Sequence, residues 1–86
     1  MQINGLKFLS DKGWTAESTY QSDNGKVYPV PANHKIVATD ESGDIVNLTI
    51  ITPAPLTFKP SEALKPLTLR GNVSHSPFGW SLKASF

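Results

Sequence analysis

The chain has 86 residues, no cysteine and a formal net charge of +1, from eight Lys/Arg against seven Asp/Glu. At this length there is room for one small domain, which buries only about 60–65 % of the surface its unfolded chain would expose. Disulfides and thiolate zinc sites are excluded, and so is a global basic field, which leaves any nucleic-acid surface to be local.

Charge is nevertheless unevenly spread. Beyond Asp44 the only carboxylate side chain is Glu62, whereas Lys59, Lys65, Arg70 and Lys83 all lie there, so the C-terminal half is the basic half. No stretch reaches the roughly 20 apolar residues that span a bilayer, and MQINGLKFLSDK lacks the design of a signal peptide. The expectation is a soluble, cytoplasmic protein that does not engage a membrane.

Period-two alternation runs along most of the chain and predicts short strands. In order they are QINGLKFL at 2–9, WTAESTYQ at 14–21, KVYPV at 26–30, HKIVATD at 34–40, IVNLTII at 45–51 and PLTLRGNV at 66–73. A last strand opens at Phe78, with Trp80, Leu82, Ala84 and Phe86 alternating with polar residues. The segment at 45–51 is apolar on both faces and should be the most buried. Between these segments SDKG, SDNG, PAN and ESGD carry the residues that tolerate turn conformations.

Seven prolines oppose long helices. Only SEAL at 61–64, bracketed by Pro60 and Pro66 with Ser61 as N-cap, has the making of a helical turn. The whole predicts an all-β domain: a small antiparallel OB-like Greek-key barrel of five to seven short strands, with at most one short helical turn, an SH3-like barrel fitting nearly as well.

Catalytic constellations are missing. His34 and His75 stand apart from other ligand-type residues, and the glycines are scattered singly rather than gathered in a phosphate-binding loop, so neither an enzyme nor a metal or cofactor is expected. What remains is aromatic and basic residues near turns, the two components with which proteins hold single-stranded nucleic acid. In NGKVY, Lys26 and Tyr28 share one face of an extended segment, where they either join a phosphate and its base or serve as a solvated lysine and a core-edge ring. In PFGW, parity places Phe78 with the core, yet Pro77 and Gly79 allow a ring at the strand's start to point outward. Trp14, with Lys12 beside it, repeats the cation-plus-ring pairing, and Trp14 and Tyr20 fall on a face polar enough to mark an edge or a surface ribbon. Lys35, Lys59, Arg70 and Lys83 offer themselves as the lining of a groove, Arg70 foremost.

The order GKVY, DESGDIVNLTI, PFGW resembles the small single-stranded DNA-binding proteins of filamentous phages, the helix-destabilising family. That resemblance implies that Gly25, Lys26 and Tyr28 lie on a DNA-binding hairpin and that Phe78-Gly79 forms a stacking loop. The run VNLTIITPAPLTFKPSEALKPLTLRGN followed by WSLKAS is similar to accessory proteins of conjugative elements of Gram-positive bacteria. Both resemblances imply an OB-like barrel, a homodimer and cooperative coating of single strands. The sequence thus predicts a non-catalytic single-stranded DNA-binding protein, with RNA as a further ligand, acting through Lys26, Tyr28, Phe78, Arg70, Trp14, Lys12 and Lys35. The rival is a small β-domain that assembles with a protein partner in a replication or transfer machine, and its near-neutral charge suits that rival.

Overall fold

The computed structural model describes residues 1–86 and contains nine strands and no helix. They are β1 (Gln2–Ile3), β2 (Lys7–Thr15), β3 (Ser18–Gln21), β4 (Val27–Val30), β5 (Asn33–Thr39), β6 (Ile45–Ile51), β7 (Leu67–Leu69), β8 (Ser74–Ser76) and β9 (Gly79–Ser85). Seven of them form one sheet in the order β1-β7-β9-β6-β5-β2, with β8 paired to the start of β9. β3 and β4 form a separate two-stranded ribbon.

The first and last strands of that order are neighbours in sequence, so the sheet curls back onto its own N-terminal segment. Counted as two halves of one bent strand, β1 and β2 give the order 1-2-3-5-4-1, an OB-like barrel left open at Asn4–Leu6, where the chain leaves β7 and joins β5. Gly5, at φ +78°, makes that bend in a conformation L side chains rarely adopt. The expected all-β barrel is therefore present, with more and shorter strands than the alternation suggests. Its ladders are antiparallel apart from β6–β9, which run parallel.

Alternation builds the core. Val46, Leu48 and Ile50 of β6, Ile36 and Ala38 of β5, and Ala84 of β9 point inward and join Leu6, Leu64 and Leu67 in one buried cluster. β-branched residues fill β6, as expected for a pleated surface packed against neighbours on both sides. Residues 52–66 cross beneath this cluster as an irregular strap. Its Leu56 and Phe58 pack on the core, and Phe58 stacks on Phe8 with ring centroids 5.2 Å apart.

Four local expectations are corrected. SDKG is no turn: β2 runs through it, and register shifts between Phe8 and Ser10 and between Asp11 and Gly13 bulge Leu9 and Lys12 out of the ladder with β5. The turn-forming residues are spent on the bulge, where Asp11 Oδ1 accepts the Gly13 N–H at 3.0 Å. WTAESTYQ is likewise two strands, with Trp14 in β2 and Tyr20 in β3. SEAL does not coil: Ala63 bridges to Lys7, and Leu64 N–H donates to Leu6 O, so this stretch borders β2 instead. PLTLRGNV keeps only Leu67–Leu69 as strand, because Arg70 N–H closes on Lys83 O and the chain then turns at Gly71, leaving Val73 exposed.

His34 ties three of these parts together. It is buried on β5; its Nδ1 accepts the Leu56 N–H of the strap at 3.0 Å, which assigns the ring proton to Nε2, and Nε2–H donates to Asp11 Oδ1 at 2.6 Å. This bond, helped by the Gly13 N–H, holds the Asp11 carboxyl below its ordinary range. A carboxyl lowered in the folded state stabilises the fold while ionised, above about pH 4, and loses that contribution as pH falls through its folded-state value. Between pH 5 and 2.5 the urea midpoint of the wild type should therefore fall more steeply than that of Asp11→Asn. Parallel slopes would show that the His34 bond does not bind the proton balance to folding.

Candidate nucleic-acid interface

The ribbon stands off from the sheet, with no Cα of its strands within 8 Å of a Cα of the sheet strands. Nearly all its residues are exposed, and the molecule reaches 42 Å in its longest dimension. Its radius of gyration, 13.6 Å, exceeds the roughly 12 Å expected for a compact chain of this length. The five-residue turn between its strands is closed by Ser22 N–H to Lys26 O and by Asn24 Oδ1, which accepts the Lys26 N–H.

Register places Tyr20 directly opposite Tyr28, so two rings share one face of the ribbon and both stay exposed, at 59 % and 48 %. Neither ring is needed by the core. Lys26 stands at the end of the turn, one residue before β4. The fold thus brings Lys26 and Tyr28 to a projecting tip and adds Tyr20, which the sequence assigns to an edge or surface ribbon and which the register sets opposite Tyr28.

At the other end of the sheet, Pro77 and Phe78 form the two-residue tip between β8 and β9. Phe78 does not join the core series: it is 83 % exposed, because the strand begins only at Gly79. The tip is fixed from below. Asn47 Nδ2 donates to the carbonyls of Phe78 and Trp80, at 3.4 and 3.2 Å, and Ser76 Oγ accepts the Phe78 N–H. Trp80 itself is partnered, its ring lying 4.3 Å from that of His75 on the opposite strand.

Between these two tips lies a groove on the outer face of β5, β6 and β9. Lys35 pairs with Thr49, and Thr49 with Lys83, so the three lie in one line across adjacent strands. The two lysines are thus separated by two strand spacings, about 9–10 Å. Lys35 also faces Gly13 on β2, beside which the bulge presents Lys12. The groove, about 360 Å³, is lined by Lys12, Lys35 and Lys83 together with Asn47, Thr49 and Ser81, and no carboxylate takes part in its lining. A second hollow shares Lys35, Thr49 and Lys83 and continues to Val30 and Pro31 at the base of the ribbon. No lysine of the molecule lies within ion-pair distance of a carboxylate, so none of these three is neutralised by a partner.

The remaining expected residues stand apart from the groove lining. Arg70 flanks it, with its N–H on Lys83 O and its Nε donating to Ser85 Oγ at 2.8 Å. Trp14 is half-buried, and its indole N–H is committed to Thr52 O at 3.2 Å, anchoring the strap to β2. Lys83 takes the groove-lining place the sequence offers it, and Asn47, not singled out there, joins it. Their outward parity is visible in the sequence, but their convergence depends on the parallel pairing of β6 with β9.

No group of three or more His, Cys, Asp or Glu side chains is arranged to hold a metal ion, and no helix is long and apolar enough to cross a membrane. Comparison of the chain with protein-family models, curated proteins and solved structures gives no match.

Proposed function

We propose that the protein binds single-stranded nucleic acid, DNA first, without catalysing a reaction on it. The observation that carries this reading is the convergence of Lys12, Lys35 and Lys83 on one groove that no carboxylate lines and in which none of the three is ion-paired. Lysines meet phosphates, exposed rings stack on bases, and the groove runs between Phe78 at one end and the foot of the ribbon that carries Tyr20 and Tyr28 at the other. Small OB barrels bind oligonucleotides on the face of their second and third strands and on the loops flanking it. Here those strands are β5 and β6, and the loops are the ribbon and the β8–β9 tip. Homodimerisation and cooperative coating of strands in a phage or conjugative element belong to the same reading and rest on the two resemblances.

Fluorescence anisotropy of labelled oligo-dT at about 50 and 200 mM salt tests it. Affinity should fall by an order of magnitude or more over that range. In the double variant Tyr28→Ala, Phe78→Ala, about 1–3 kcal/mol should be lost per removed stack while the fold is retained. Unchanged affinity in the folded double variant would remove these rings from the site.

A second reading is a protein-docking module, favoured by Tyr20, Val27 and Tyr28, a cluster of exposed large side chains on a ribbon that the barrel does not use. Its binding would hardly respond to salt, and oligo-dT would not bind at tens of micromolar.

A further inference from the structure

Phe78 also borders a cavity of opposite electrostatic character. About 380 Å³ in volume, it lies between the β8–β9 tip and the β5–β6 turn and is lined by Gly43, Asp44, Ile45, His75 and Ser76 as well as by Pro77, Phe78 and Gly79. No lysine or arginine lines it. The turn is held by its backbone and by Asp40: Asp40 N–H donates to Asp44 O, and Asp40 Oδ1 accepts the Asp44 N–H at 2.8 Å. The Asp44 carboxylate itself accepts no hydrogen bond and has no ion-pair partner. The Phe78 ring stacks on no other ring.

A free aromatic face beside a free carboxylate rejects phosphate and selects a planar, neutral group rich in N–H donors. From these residues we infer that this cavity is a base-reading pocket, in which Phe78 stacks on a guanine whose Watson–Crick edge meets Asp44. The inference rests on the strand-binding reading above and adds a preference to it. Guanine alone presents two adjacent donors, N1–H and the 2-amino group, to match the two oxygens of a carboxylate. Cytosine and adenine set one amino group beside an acceptor nitrogen, which the second oxygen repels. Thymine and uracil flank their single N–H with carbonyls. Single-stranded bases are open to such edge contacts, and a good bidentate pair discriminates by roughly tenfold or more. Asn47 joins this pocket to the lysine groove, since its side chain lines the groove and its Nδ2 holds the Phe78 carbonyl.

The test compares labelled dT oligomers carrying, at one central position, dG, deoxyinosine or dT. The dG oligomer should bind the wild type about tenfold more tightly than all-dT, with deoxyinosine, which lacks the 2-amino group, close to all-dT. In Asp44→Asn the three should converge while all-dT affinity is retained. Equal binding of all three to a wild type that holds oligo-dT would overturn the pocket and leave strand binding standing. A second arm follows amide NMR shifts with guanosine and uridine. Shifts confined to residues 43–45 and 76–79 with guanosine and absent with uridine support the pocket even if no strand binds; shifts with neither nucleoside overturn it.

Discussion

Replacing Lys12, Lys35 and Lys83 together by Gln is expected to lower affinity for oligo-dT about a hundredfold at low salt, at roughly 1 kcal/mol per lost phosphate contact. The logarithmic salt dependence should flatten as well, by about 2, since each phosphate contact on a single strand contributes about 0.7 to that slope. All three side chains are exposed, so the fold should hold to within about 0.5 kcal/mol. The control is Lys7, Lys59 and Lys65 changed to Gln, which removes the same charge from exposed positions outside the groove. If the protein were a diffuse cation, both triple variants would weaken equally. Loss confined to the first assigns binding to the line across β2, β5, β6 and β9.

The second large effect is expected from Gly79→Ala. Gly79 sits at φ +111°, and a Cβ there would stand 2.5 Å from the backbone oxygen of Ile45. Both the conformation and the space exclude a side chain, and the atom it would strike is main chain that cannot rotate away. Backbone strain and overlap together should cost about 2–5 kcal/mol if the strand stayed in place. For a domain with a core of nine buried apolar residues, that is a large share of its total stability. Relief comes only by lifting the β8–β9 tip from β6, which displaces Phe78 and breaks the Asn47 bonds. Thermal unfolding and oligo-dT affinity should therefore both suffer. A variant with wild-type melting and wild-type binding would show that the close approach at Ile45 is not maintained in solution.

Legibility varied with how far apart the interacting residues lie in the chain. IVNLTII coincides with β6 to the residue, and HKIVATD differs from β5 by one position at each end, because alternation is a property of each segment alone. SDKG was misread because Asp and Gly suit a bulge as well as a turn, and only the ladder with β5 decides between them. The ring positions were half legible. Parity pointed Phe78 inward, yet Pro77 and Gly79 also mark it as a tip, and the tip is what forms. The groove was the least legible feature. Lys12, Lys35 and Lys83 belong to distant segments, and their alignment follows from cross-strand register, which no local pattern encodes. Arg70 and Trp14 drew attention by residue type, whereas their positions follow from the hydrogen bonds that hold them to Ser85 and Thr52.

The parallel pairing of β6 with β9 also bears on how the chain comes to be folded. β9 lies in the middle of the sheet, with β6 on one side and β7 and β8 on the other, although it follows all of them in the chain. During synthesis β5 and β6 can form their hairpin early, but its inner residues have no partner until residues 79–85 leave the ribosome. Closure then joins segments separated by the whole strap and two short strands, an entropic demand that slows folding relative to domains built from neighbouring contacts. Until β9 emerges, the nascent chain carries Val46, Leu48 and Ile50 on an unpaired strand edge, which makes that interval its period of greatest exposure to aggregation.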